Sequence, residues 1–250
     1  MTGAYIIARI MMKKNEVILS GIRPTGRLHY GNYFGAIKQF LDLQARGLTC
    51  YYFVADYHAL TTIKERTNYA QITLDMLRTY VACGLDPKKS IIYRQSDLPC
   101  TAELALLLGM IANIGFLERG TTYKDTIAKL GVGEVGGAEG NPISYGLLGY
   151  PVLMAADILI VRADKVPVGD DQRQHVEMAI DLAQKFNSRF QREVLHIPQA
   201  VARDAVRLPG LDGSAKMGKS ENNDLGLLDD PKLVLQKIKA VQTATDPGPI

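Results

Sequence analysis

Short apolar runs separated by helix-length amphipathic stretches constrain this chain more than anything else in its sequence. Val17-Ile18-Leu19 is apolar and ends on Ser20-Gly21, which reads as a buried strand entering a loop. From Asn32 to Arg46 the residues Phe34, Ile37, Phe40 and Leu41 recur at helical spacing, and Gly47 supplies a stop. Thr49 to Ala55 is a second strand. A helix from Thr67 to Cys83 follows, with Tyr69, Ile72, Met76, Tyr80 and Cys83 on one stripe. Ser90 to Tyr93 predicts a third strand, and Thr101 is expected to cap the apolar helix after it. Residues 131–146 break the alternation with a glycine-rich loop; Asp170 to Phe190 returns to helix, and Asp230-Pro231 opens another short one. The pattern predicts an α/β fold: a Rossmann-type parallel sheet with right-handed crossovers and helices on both faces.

Ligands of such sheets bind outside the carboxyl ends of the strands. The loops of interest are therefore Ser20 to Gly31, Asp56 to Thr62, Gln95 to Cys100 and Gly169 to Gln172. The first holds Gly26-Arg27-Leu28-His29-Tyr30-Gly31-Asn32, at the start of a helix. Gly31 lets a ring or phosphate approach the backbone, a helix N-terminus offers unpaired N–H groups to anionic oxygen, and His29 and Asn32 can project from one side of the turn. Alone, this motif is also what an ordinary surface histidine near a turn looks like. Far along the chain, Ala215-Lys216-Met217-Gly218-Lys219-Ser220 is flanked by Gly210, Gly213 and Ser214. Two mobile ammonium groups in a glycine-flanked loop can converge on one polyphosphate, although a lysine pair by itself is usually a solvated surface.

Composition narrows the partners little. Of 250 residues, 47% are apolar and 22% charged, which suits one large α/β domain with a small appendage. The 29 basic and 26 acidic residues leave a net charge of +3, which neither supports nor excludes an RNA partner. Cys50, Cys83 and Cys100 are widely spaced, with no Cys/His cluster, so neither a disulfide framework nor a protein-held metal is expected, and reduced thiols in the cytoplasm are the default. The apolar stretch from Tyr5 to Met12 is interrupted by Arg9 and is too short to span a membrane. Met11 and Met12 precede Lys13-Lys14-Asn15-Glu16, so residues 1–15 are read as an N-terminal extension.

Taken together, the two motifs carry a resemblance. His29-Tyr30-Gly31-Asn32 resembles the HIGH signature of class I aminoacyl-tRNA synthetases, and Lys216-Met217-Gly218-Lys219-Ser220 resembles their KMSKS loop. Ser20 to Gly26, Asp56-Tyr57-His58-Ala59, Leu117-Glu118-Arg119, Tyr150 to Ile158 and Val166 to Gln172 are similar to the tryptophan-specific branch of that class. The resemblance runs in order from residue 17 to 245. It implies activation of L-tryptophan by ATP to an adenylate and transfer to tRNA(Trp), with Mg2+ held mainly by the phosphates, no tightly bound cofactor, and a homodimer.

For the reaction, the resemblance implies His29, Asn32, Lys216 and Lys219 as catalytic residues. Arg23, Pro24 and Thr25 would line the phosphates. Gly31, Gly169, Asp170 and Asp171 would border the nucleotide, with Leu208, Met217, Gly218 and Ser220 closing over it. Lys124, on a loop after Leu117-Glu118-Arg119, would add a cation. Asp157 lies in an apolar stretch where an unpaired carboxylate is costly, so it is the expected acceptor for the donor-only indole N–H. The alternative for Asp157 is a partner in a structural ion pair with arginine. Tyr150, Met154, His58, Leu19 and Gly21 would complete the amino-acid pocket. An attacking carboxylate is already anionic, so such a site needs positioning and charge stabilisation rather than a base.

Three departures stand out: Gly218 replaces a usual serine, which should loosen the loop; Tyr30 is larger than the usual aliphatic residue; and residues 131–146 are long. The expected organisation is a catalytic domain over 16–205, followed by the lysine-bearing loop and the start of a truncated helical tRNA-binding domain over 206–250. Rival readings are the tyrosine-specific branch, a small-molecule nucleotidyltransferase, and a non-catalytic fragment.

Overall fold

Two faces of one sheet are buried, and the strand sequences say why. The computed structural model describes residues 16–62, 68–130, 144–202, 206, 208–215, 217–219 and 221–241. The N-terminal extension, most of the glycine-rich loop (131–143), Lys216, Ser220 and residues 242–250 lie outside the described residues. Strand β1 is Val17–Ile22, β2 Thr49–Val54, β3 Ile91–Arg94, β4 Lys165–Val168 and β5 Gln199–Ala202. All pair in parallel, in the order β3-β2-β1-β4-β5. Alternate residues of β1 and β2 point to opposite sides. Leu19, Tyr51 and Phe53 join one apolar cluster with Val152, Ile158 and Leu182, while Ile18, Tyr52 and Val54 join another with Phe40, Met76 and Tyr80. Near-continuous apolar strands are what a parallel sheet covered on both faces requires.

The strand order reverses between β1 and β4, and the loops leaving these two strands flank the crevice where such sheets take ligands. After β1, the chain makes a short turn at Tyr30–Asn32, a π-helical stretch at Tyr33–Ile37 and helix α1, Lys38–Ala45. The single turn α2, Asp56–Ala59, follows β2, and α3 is Tyr69–Ala82. After β3 comes a 3₁₀ turn, Gln95–Asp97, then α4 Cys100–Gly109, α5 Ile114–Leu117 and α6 Thr121–Leu130. Helix α7, Tyr145–Ile160, packs beside α4; α8, Asp170–Phe190, leaves β4; and α9 is Pro231–Lys239.

Several expectations are corrected. Thr101 does not cap α4: Pro99 precedes the helix and Thr101 is buried inside its first turn. The glycine-rich segment ends sooner than residue 146, because the Ser144 hydroxyl accepts the Leu147 N–H at 3.2 Å and Tyr145 is already helical. Asp230 does cap α9, accepting the Lys232 N–H at 2.8 Å.

Gly21 marks how tightly β1 and β2 pack at their carboxyl ends. A Cβ there would stand 2.5 to 2.7 Å from the Phe53 ring, which is itself buried. Gly21→Ala is expected to destabilise the fold by about 1–3 kcal/mol through overpacking, lowering Tm by about 2–12 °C. An unchanged thermal transition would mean that the ring can shift freely.

Candidate active site

The carboxyl ends of β2 and β3 carry the first half of the site. Asp157 comes from the middle of α7 and is only 2% exposed. The partner of its carboxylate is not an arginine. Gln95, the first residue after β3, donates its Nε2 to both carboxylate oxygens at 2.9 Å, and His58, on α2 after β2, places Nε2 3.0 Å from Oδ2. Burial pushes the Asp157 carboxyl above the usual range, and the hydrogen bonds from His58 and Gln95 oppose that shift. Gln95 also ties the turn down, since its Oε1 accepts the N–H of Tyr57 at 3.0 Å and of His58 at 3.4 Å.

A polar line continues from there to β4. The rings of His58 and Tyr150 meet edge-on at 5.9 Å. The Tyr150 hydroxyl lies 2.6 Å from Nε2 of the buried His175, whose Nδ1 is 3.2 Å from Gln172 Oε1. His175 and Gln172 belong to α8, whose N-terminal residue follows Gly169. Met154 is half-buried against the same core, and Leu19 of β1 is buried within it. Gly21 stands beside Phe53, as described above.

The second half of the site joins the two lysine- and histidine-bearing motifs. Gly26 has φ +118, and the Lys219 ammonium lies 3.5 Å from where a Cβ on Gly26 would stand. Gly31 faces its own neighbourhood: a Cβ there would lie 2.8 Å from the buried His29 ring and 3.4 Å from Met217. The Asn32 side chain accepts the His29 N–H at 3.1 Å, which closes the turn. Arg23 and Thr25 are exposed on the loop above, with Pro24 buried between them.

Charge pairing fastens the later segment to this loop. Arg27 donates to the buried Asp224 at 3.0 Å and to Asp229, while Lys237 of α9 donates to Asp229 at 3.0 Å. Backbone bonds add to it: Tyr30 N to Leu225 O and Leu227 N to Leu28 O, each 2.9 Å, around an antiparallel bridge between His29 and Gly226. Burial lowers the Lys219 pKa; Asp224 opposes that shift and Arg27 reinforces it.

The Gly218 N–H has a side-chain partner within its own loop. It donates to the buried Asn223 Oδ1 at 2.8 Å, and Asn223 Nδ2 donates to Ser214 at 2.7 Å and Asp212 at 3.0 Å. Leu208 accepts the Met217 N–H at 3.0 Å. Asn223→Ala is expected to destabilise the fold by about 1–3 kcal/mol, because it orphans these loop donors and acceptors. The thermal transition would read this; an unaltered Tm would mean that the loop keeps its shape without Asn223.

The remaining expectations fall as follows. Lys124 sits exposed on helix α6 rather than on a loop, and Gly169 precedes α8 at the end of β4. Asp170 and Asp171 open α8, and their backbone alone is described; Lys216 and Ser220 are among the residues left undescribed. Sequence reasoning nominated none of Gln95, His175, Arg27, Asn223, Asp224 or Asp229. Gln95 lay in a flagged loop, and the acidic run from Glu221 to Asp230 was the one signal for the clamp. Among the described residues no group of three or more His, Cys, Asp or Glu side chains could hold a metal ion, and no helix is long and apolar enough to cross a membrane.

A parallel sheet reversing at its first strand, with the histidine turn and the lysine loop brought together above that strand, is the frame of a nucleotide-using synthetase. The chain belongs to the class I tRNA synthetase family for tryptophan and tyrosine (W and Y), whose model matches residues 12–248. It is 47% identical over 236 residues to the tryptophan–tRNA ligase of Porphyromonas gingivalis, covering 94% of this chain and 68% of that protein. With the tryptophan–tRNA ligase of Fusobacterium nucleatum it shares 46% over 230 residues, covering 92% and 67%. The tryptophanyl-tRNA synthetase of Campylobacter jejuni, solved with ADP and tryptophan, superposes with a TM-score of 0.81 at 38% identity, over 92% of this chain and 68% of that one. The chain thus spans about two thirds of the length of these relatives.

Proposed function

We propose that this chain activates L-tryptophan with ATP and passes the activated amino acid to tRNA(Trp), as a tryptophan–tRNA ligase. The observation that carries the choice of amino acid is the buried Asp157 carboxylate, held by Gln95 and His58 at the sheet's carboxyl edge. Indole offers a donor and no acceptor, so a fixed anionic acceptor suits it. In the first step a tryptophan carboxylate oxygen bonds to the α-phosphorus of ATP, and the bond from that phosphorus to the bridging oxygen breaks to release pyrophosphate. The nucleophile brings its own charge. The chain's task is to align the groups and to stabilise negative charge as it moves onto the leaving pyrophosphate. His29, Asn32, Lys216 and Lys219 would do so, with Arg23, Thr25 and the backbone at Gly31 along the phosphates and Lys124 as an outlying cation. Gly169, Asp170 and Asp171 would border the nucleotide.

The nearby acids do not form a metal nest. Asp224 and Asp229 are already paired with Arg27 and Lys237. Mg2+ would therefore travel on the phosphates of ATP and neutralise part of their charge. We assign residues 16–205 to the catalytic unit and 206–250 to the lysine loop and the side that receives tRNA; the exposed Lys232 and Lys239 of α9 suit a phosphate backbone. Pairing into a homodimer is supported by Leu106, Leu107, Met110 and Ile114, which are 55–71% exposed along α4, the turn after it and the start of α5. The cytoplasm is the compartment where such chemistry serves protein synthesis.

The test is ATP–pyrophosphate exchange with each amino acid in turn. Exchange should depend on tryptophan; exchange driven by tyrosine and not by tryptophan would overturn the assignment.

A further inference from the structure

Gln95 is 0% exposed and its amide has one permissible orientation. Its Oε1 accepts the N–H groups of Tyr57 and His58, two amides of the first turn of α2, which lack partners within that helix. Turning the amide over would set its NH₂ against those N–H groups, so Nε2 must face Asp157. There it lies 2.9 Å from each carboxylate oxygen, with His58 Nε2 3.0 Å from Oδ2. A carboxylate has roughly four lone-pair sites; Gln95 engages one on each oxygen and His58 a second on Oδ2, which leaves Oδ1 with capacity to accept. Among the described residues only Gln95 hydrogen-bonds Oδ1.

We propose that Gln95 is a positioning residue for amino-acid choice, which fixes the rotation of the Asp157 carboxylate so that Oδ1 is the acceptor for the indole N–H. The inference rests on the reading of Asp157 as the tryptophan acceptor. Gln95 has a second consequence. As a neutral donor it favours the ionised carboxylate in an apolar helix without adding a charge that must itself be paired. The plainer account is that Gln95 only fastens α2 to α7. The two accounts differ in what they say about selectivity.

The experiment measures pyrophosphate exchange across a pH series, with tryptophan and with the analogue carrying sulfur in place of the indole N–H. Wild-type protein should strongly prefer tryptophan. In Gln95→Met, kcat/KM for tryptophan should fall about 10- to 100-fold while that for the sulfur analogue changes less than about threefold, so discrimination shrinks. The acid limb of the tryptophan profile should also move to higher pH, because the ionised Asp157 has lost a donor. Gln95→Glu keeps an oxygen for the Tyr57 and His58 amides and so keeps α2 fastened. Its two carboxyl groups then share a proton, and the preference for tryptophan should decline as rising pH removes it.

If Gln95→Met lowers both amino acids alike, with the ratio and the acid limb unmoved, Gln95 is a fastener and the proposal is overturned. Should that variant not fold, Gln95→Glu decides: a wild-type ratio at every pH overturns the proposal equally. Equal use of tryptophan and the sulfur analogue by wild-type protein would instead refute Asp157 as the acceptor, and this inference with it.

Discussion

Lys219→Ala is expected to slow adenylate formation by about 10²–10³-fold while changing tryptophan affinity less than about threefold. The lysine stands over Gly26, on the loop that leads into the His29 turn, and nowhere near Asp157 in the hydrogen-bond network. Its ammonium is half-buried, and burial lowers its pKa; Arg27 pushes the same way and Asp224 against it. A polyphosphate bound at this loop would give such a cation an anionic partner. That interaction should strengthen as charge accumulates on the leaving pyrophosphate, which makes the loss one of rate rather than of binding. The lowered pKa adds a sign that can be checked. As pH rises through it the ammonium is lost, so the alkaline limb of the rate profile should start below the ordinary lysine range, and Lys219→Arg should remove that limb. Single-turnover rates and equilibrium tryptophan binding separate the terms. Equal losses in both would make Lys219 a ground-state contact.

What could be read from the sequence, and what could not, follows from where each signal resides. Strands β1 and β2 were legible because both faces are buried and the apolar runs are unbroken. β5, Gln199–Ala202, is a short outer strand of the sheet with exposed ends and carries no such run, so nothing in its composition announced it. Asp157 was legible as a charge among apolar residues. Gln95, His175 and Asn223 were not, because a buried polar side chain and a solvated one have the same letter. What distinguishes them is a partner that only the folded chain reveals: α7 for Gln95, Tyr150 for His175, the Gly218 backbone for Asn223.

The surroundings of Gly218 were hidden for the same reason. Removing a hydroxyl and a side chain does loosen a loop in isolation. Here the Asn223 side chain, five residues on, holds the glycine N–H, and Asn223 is itself held by Ser214 and Asp212. The clamp of Arg27 on Asp224 and Asp229 is likewise a tertiary product. It brings the segment after the lysine loop against the segment before the histidine turn, and that juxtaposition sets two weak motifs side by side.

Asp157→Asn should lower kcat/KM for tryptophan by about 10- to 100-fold, the range expected when a charged acceptor becomes a neutral one. The substitution is mild in shape. The remaining oxygen can still accept from Gln95 and His58, while the new NH₂ group stands beside the Gln95 amide nitrogen and must turn slightly away from it. The fold should therefore survive, and the linkage argument says it should be no weaker at neutral pH. The Asp157 carboxyl is raised by burial, so the folded protein binds its proton more tightly than the unfolded chain does. Stability from this group then falls as pH rises from the unfolded carboxylate range through the folded value, and above that window the ionised carboxylate is a net cost. Asparagine removes that cost along with the charge. The expected pair of results at neutral pH is an unchanged or higher Tm beside a weakened tryptophan reaction. A Tm lower by many degrees would mark Asp157 as a structural partner of His58 first. Tryptophan exchange at the wild-type level would show that the indole is recognised elsewhere.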